Sequence, residues 1–226
     1  MVQALRAQEG AAKVEKKRAI LDAASRVFLR KGLSAAGMRD IAAELGMAVG
    51  NLYYYFEDKE ELLAFVQEDA LAGLRALAER VRGLNLPADA QLYLLIVGHV
   101  VRLNDVHEGT PGSLAHLEVE ILGERRRQAI QAQRDEYELH FREVIEEGTV
   151  AGLFRRTDPK VSALTILGAL NWTARWFRPE GGQSARAIGE QCAELLVRGV
   201  LAPGVKLKPP KVDLVVPEAV PPESEG

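Results

Sequence analysis

Asn51, Tyr53, Tyr54 and Tyr55 are the residues of this 226-residue chain whose types and spacing most plainly suggest chemistry. One amide and three phenols on a short segment offer hydrogen bonds at their tips, and so short a segment cannot bury all four. Such a set reads polar edges and phosphate oxygens; it does not make or break bonds. One or two of the tyrosines also fit a packing role. The usual bond-making sets are missing. The four histidines, His99, His107, His116 and His140, show no metal-ligand spacing with cysteine. Glu136 and His140, four apart, read as a surface pair. Cys192 sits among Ala193, Leu195 and Leu196 and reads as a small buried apolar residue. There is no Gly-rich phosphate loop and no Ser/His/Asp motif. The expectation is therefore no enzyme, no catalytic residue, no metal and no cofactor.

The elements that must hold these side chains are helical. Met38, Ile41, Ala42 and Leu45 recur at helical spacing, and Gly46 follows as a residue able to end the helix at positive φ. A second short helix is predicted from Val49 to Tyr55, with Leu52 and Phe56 as its core residues. Two short helices joined by a Gly-containing turn form a helix-turn-helix, whose second helix enters the major groove. A preceding helix, Val14 to Lys31, has Ile20, Ala23, Ala24, Val27 and Phe28 on its inner face and stops at Gly32. Charge agrees with this reading. Residues 1–56 hold nine Lys or Arg, Arg39 among them, against five acids, a net of +4. The chain as a whole is at −3, which leaves −7 for the remainder. A basic head on an acidic body is the footprint of a DNA reader attached to something else. Lys16, Lys17 and Arg18 are read either as phosphate contacts or as solvated residues.

The stretch Met38-Arg39-Asp40-Ile41-Ala42, Leu45-Gly46-Met47, Gly50-Asn51-Leu52-Tyr53 and Tyr55-Phe56, with Lys59 and Leu62-Leu63, resembles the helix-turn-helix of the tetracycline-repressor (TetR) family of bacterial transcriptional regulators. The resemblance implies an all-α fold, with a three-helix DNA-binding head and a helical ligand-binding and dimerisation body. It also implies that Arg39, Gly50, Asn51, Tyr53, Tyr54, Tyr55 and Lys59 contact DNA, Lys59 through a phosphate. Two positions depart from the family pattern: Gly37 and Ala48 stand where Ser or Thr usually caps a helix. Losing such a cap to Ala costs about 1 kcal/mol, and to Gly only a few tenths.

Beyond the head, Asp58 opens a helix in the D-x-x-E capping-box pattern that runs to about Arg82. Further helices are predicted over Ala88–Val106, Ser113–Ile121, Glu124–Glu147, Asp158–Phe177 and Ser184–Leu201, with a loop at His107–Gly112. No strand pattern or repeat is found. The expected domains are a flexible arm at 1–14, the head at 15–60, the body at 61–202 and a Pro-rich flexible tail at 203–226. No apolar run reaches the ~20 residues needed to span a bilayer. The N-terminal stretch lacks a secretory pattern and there is a single cysteine, so a cytoplasmic protein without a membrane partner is expected.

The segment from Asn171 to Gly182, with Arg134-Asp135-Glu136-Tyr137, Phe141-Arg142 and Ile145 to Gly148, is similar to the C-terminal part of TetR-family repressors that respond to acyl-coenzyme A thioesters. An acyl chain needs an apolar interior, and the nucleotide end needs cations and a stacking face. Arg175 and Arg178 beside Trp172 and Trp176 offer these groups. The two tryptophans, four apart on one face, fit core or dimer packing equally well. The resemblance further implies a homodimer through the last two long helices, reading a palindromic operator and releasing it when a small hydrophobic effector binds. A drug or another hydrophobic metabolite is the alternative effector.

Overall fold

The computed structural model describes residues 2–104 and 121–212, with residues 2–14 described through their backbone only. The predicted loop at His107–Gly112 and nearly all of the predicted helix Ser113–Ile121 lie outside the described residues. Eight helices are seen among the described residues: α1 (Val2–Lys31), α2 (Met38–Glu44), α3 (Val49–Tyr53), α4 (Lys59–Gly83), α5 (Ala88–Asn104), α6 (Glu124–Val150), α7 (Pro159–Trp176) and α8 (Ala185–Val200). The fold is all-α, as expected; among the described residues one antiparallel bridge pairs Phe154 with Leu201.

Helices α4, α7 and α8 start where a side chain accepts an orphan backbone N–H. Asp58 accepts from Glu61 N at 2.7 Å, Asp158 from Val161 N at 3.0 Å, and Ser184 from Ala187 N at 3.2 Å. Pro159 follows Asp158 in the first turn, where its missing N–H costs nothing. Helix α1 stops at Gly32 (φ 78°), and the turn after α2 uses Gly46 (φ 62°), a conformation costly for any residue with a Cβ.

The head packs α1, α2 and α3 around Ile20, Val27, Phe28, Ile41, Leu52 and Phe56, all buried. Helix α4, about 37 Å long at 1.5 Å per residue, runs from this head along the body. Helix α5 is the centre of the body, in contact with α4, α6, α7 and α8, and its residues Gln91–Val101 are all buried. Gly189 on α8 stands 3.1 Å (as a built Cβ) from the Val97 carbonyl, so a side chain there would push α8 off α5.

Outside the helix-turn-helix, three boundaries differ from the sequence reading. Helix α1 begins at Val2, so the stretch expected as a flexible arm is helical; Ala4, Leu5, Arg6, Ala7, Gln8 and Glu9 are all strong helix formers. Helix α6 continues through Gly148 to Val150, and the chain turns instead at Gly152 (φ 72°). Gly148 stays helical because the Phe154 ring lies on it, where a Cβ would overlap that ring. The start of the expected flexible tail is docked: Ala202 N donates to Leu153 O at 2.9 Å, and Leu207 is buried in the core.

Candidate nucleic-acid interface

Helix α3 is held from beneath and open above. Leu52 is fully buried and Phe56 is 2% exposed, whereas Tyr53 is 50% and Tyr54 77% exposed. Gly50 and Asn51 are exposed too, and Tyr55 is half-buried, its ring edge-on to Tyr54 at 5.1 Å. The helix ends at Tyr53, two residues short of expectation, and Tyr54 and Tyr55 continue it as a turn. A Cβ at Gly50 would meet nothing within 4 Å, so packing inside the subunit does not require the glycine there. Arg39, in the first turn of α2, is exposed as well.

Neither α2 nor α3 has a side-chain N-cap. At α2 the gap is filled in reverse: Asp40 accepts the Gly37 N–H at 3.0 Å. At α3, Ala48 offers no side-chain cap.

Several cations counted toward the basic head are committed inside it. Arg26 and Arg30 donate to Glu44 at 3.1 and 2.8 Å, and Lys31 to Asp40 at 2.7 Å, fastening α1 to α2. Lys17 places its ammonium over the Phe56 and Phe65 rings, 5.6 and 5.4 Å from their centres, which explains a lysine at a junction of buried aromatics. Arg18 lies 3.8 Å from Asp69. Lys59 donates to the Leu33 carbonyl, so it braces the turn after α1. The surface turned outward is thus formed by Arg39, Gly50, Asn51, Tyr53 and Tyr54, with Lys59 set back as a support.

The ion pairs of the head carry a pH signature. The Lys31 hydrogen bond, then the Gly37 N–H, hold the Asp40 carboxyl below its usual range; Arg30, then Arg26, do the same for Glu44. A depressed carboxyl stabilises the folded head above its unfolded pKa, and that contribution is lost as pH falls through the folded value. NMR titration of Asp40 is expected to give a midpoint below that of a free aspartate (about 3.9); a midpoint at or above it would reject the Lys31 pairing.

The four residues expected at a ligand site lie elsewhere than inside the body. Trp172 (61% exposed), Arg175 and Trp176 (48%) are on the outward side of α7 and Arg178 is exposed just past its end, while Ala163, Ile166, Leu170 and Thr173 face inward. Arg175 stacks on Trp172 at 5.7 Å, and Arg178 donates to the Phe177 carbonyl at 2.7 Å. The periodicity placed the two tryptophans on one face correctly, but which face looks inward is decided by α5 and α6. Polar groups that do sit inside the body were missed: His99, Asn104, Tyr137 and Thr173 are buried. The available signal was an isolated histidine in the apolar run of α5.

Glu136 and His140 lie along an open groove of about 470 Å³ between α4 and α6, and Glu136 accepts from Arg75 at 2.8 Å. Cys192 is half-buried against the core, and burial pushes its thiol up. No group of three or more metal-ligating side chains is found, and no helix is long and apolar enough to cross a membrane, among the described residues.

Known proteins match this chain in both its N-terminal and its C-terminal parts. A family model described as bacterial regulatory proteins, tetR family, matches residues 20–66, and one described as tetracyclin repressor-like, C-terminal domain, matches residues 85–200. The HTH-type transcriptional repressor KstR2 of Rhodococcus jostii (strain RHA1) is 27% identical over 189 residues, 81% of this chain and 90% of that protein. Among solved structures, the TetR family transcriptional regulator PfmR from Thermus thermophilus is 30% identical with a TM-score of 0.71, covering 79% of this chain and 97% of PfmR. AibR in complex with isovaleryl coenzyme A and operator DNA is 25% identical with a TM-score of 0.71, covering 82% of this chain and 97% of AibR. With matches that take in both its head and its body, the chain belongs to the TetR family of bacterial regulatory proteins.

Proposed function

We propose that the protein is a transcriptional repressor that binds a palindromic operator as a homodimer and leaves it when an acyl-coenzyme A thioester binds the body. The observation that carries the reading is the contrast within and just after α3: Leu52 and Phe56 anchor it, while Gly50, Asn51, Tyr53 and Tyr54 face outward, uncovered among the described residues. A helix presented in this way fits a major groove, with phenols and an amide for base edges and phosphates. Repressor action is supported by the likeness to KstR2, and a thioester effector by the likeness to AibR bound to isovaleryl coenzyme A and operator DNA.

The outward face of α7 supports the homodimer. Val161, Leu164, Trp172 and Trp176 are exposed along it, with Gly168 and Ala169 between them keeping the surface low. An apolar face this long is costly in water and is covered at small cost by the same face of a second copy. In that arrangement the two tryptophans serve the interface, and Arg175 and Arg178 remain at the subunit surface for the phosphates of a thioester.

The test is a gel shift with a duplex from the protein's own upstream region, titrated with isovaleryl-, medium- and long-chain coenzyme A thioesters and the matching free acids. The expected result is a complex at low salt that a thioester releases and the free acid does not. Tyr53→Ala should weaken the complex about 5- to 150-fold, equivalent to roughly 1–3 kcal/mol, with melting unchanged. No complex at low salt would remove the operator reading; a complex indifferent to every thioester would remove the effector class.

A further inference from the structure

Asp69 is a buried carboxylate on α4, flanked by the buried apolar residues Phe65, Val66, Ala70 and Leu71. Burial pushes its carboxyl up, the charges of Arg18 and then Arg102 oppose that push, and the nearby charge of Asp22 adds to it. These two cations come from opposite directions. Arg18 belongs to α1, the brace of the head, and its Nη1 stands 3.8 Å from Asp69 Oδ1. Arg102 belongs to α5, the centre of the body. Its guanidinium lies on Gly73, one helical turn from Asp69 on the same face of α4, and a Cβ at position 73 would overlap it. That slot accounts for a buried mid-helix glycine, which otherwise costs about 1 kcal/mol relative to alanine.

A second polar line crosses the body from α6 to α7 through α5. The hydroxyl of Tyr137, buried on α6, lies 3.1 Å from His99 Nδ1 on α5. His99 Nε2 in turn lies 3.2 Å from Asn171 Oδ1 on α7. With Oδ1 as the acceptor, His99 carries its proton on Nε2, and Nδ1 accepts from the Tyr137 hydroxyl. His99 and Tyr137 are both buried, so a shift at one is felt by the other.

We propose that Asp69, the carboxylate that Arg18 and Arg102 share, is the joint through which the body sets the pose of the DNA-reading head. The inference rests on the reading of the chain as a ligand-responsive DNA-binding protein. One buried carboxylate between two cations is a competition. A movement of α5 that lifts Arg102 off Gly73 leaves Asp69 to Arg18 and ties α1 firmly to α4; the return of Arg102 weakens that tie. Because α1 carries α2 through Glu44 and Asp40, the strength of the tie governs how the whole head sits on α4.

Hydrogen–deuterium exchange on the full chain decides the matter. Arg102→Gln is expected to slow exchange in residues 15–31 about three-fold or more. Gly73→Ala, which keeps the charge but denies it the slot, should act in the same sense. Asp69→Asn should speed exchange there and abolish the response to Arg102→Gln in the double variant. The proposal is overturned if Arg102→Gln and Gly73→Ala alter only body peptides, or if the effect of Arg102→Gln persists undiminished beside Asp69→Asn, since a purely structural role would do either. Gel shifts of the same variants on the upstream duplex separate the two readings: a wild type that binds no duplex sinks the operator reading, and the exchange result still decides the joint.

Discussion

Leu164→Glu combined with Trp172→Glu is expected to turn the protein into monomers and to lower operator affinity by about 100-fold or more. Both residues lie on the outward face of α7, with Leu164 two turns before Trp172 and both more than half exposed in the single subunit. Burying side chains of this size yields roughly 1.5–3 kcal/mol each, and a two-fold interface counts each of them twice. The substitutions remove that gain and set four carboxylates into a surface that must otherwise shed water. Each subunit's core is untouched, because Ile166, Leu170 and Thr173 face the other way, so melting of the subunit should change little. Two linked half-site contacts exceed one by about 10²–10⁴ in affinity, which sets the scale of the loss on DNA. Light scattering checks the first part: a wild type at twice 24.8 kDa and a variant at 24.8 kDa. A monomeric wild type, or a variant that stays dimeric, would overturn the assignment of this face.

Phe56→Ala and Tyr54→Ala should part company, although the two aromatics are two residues apart. Phe56 is 2% exposed, lies 5.2 Å from the Phe65 ring and is covered by Lys17, at the point where the end of the α3 turn, α1 and α4 meet. Its truncation leaves a cavity and is expected to cost about 3–5 kcal/mol. The loss falls on the head, so amide exchange over residues 38–56 should rise steeply while the body stays protected, and operator binding should vanish without loss of any contacting residue. Tyr54, at 77% exposed, should change stability by no more than about 0.5 kcal/mol yet still weaken the operator complex. Equal destabilisation by the two substitutions would show that Tyr54 packs inside the protein, and α3 could not then be the surface that meets DNA.

The head was open to reading from sequence because its rules are local. The stripe of Met38, Ile41 and Ala42, the positive-φ turn at Gly46 and the alternation of Leu52 and Phe56 with polar-tipped neighbours are all settled within about two helical turns. The same holds for the starts at Asp58, Asp158 and Ser184, where one side chain meets one N–H three residues on.

Misreadings arose where a partner distant in the chain takes over. Lys17 counts as a cation for phosphate until Phe56 and Phe65 are brought beneath it. Gly148 looks like a helix stop until Phe154 comes to rest on it.

From the sequence alone came the all-helical character, the helix-turn-helix, its buried and its outward residues, and the excess of positive charge at the head, because each depends on neighbours a few residues apart. Tertiary structure alone decided that Trp172 and Trp176 look outward, that Lys59 supports a turn, that the chain after α8 docks through Leu207, and that Asp69 lies between a head arginine and a body arginine. Burial, and the choice among several possible partners for a charge, depend on which helices become neighbours in space, and no local pattern in the chain contains that information.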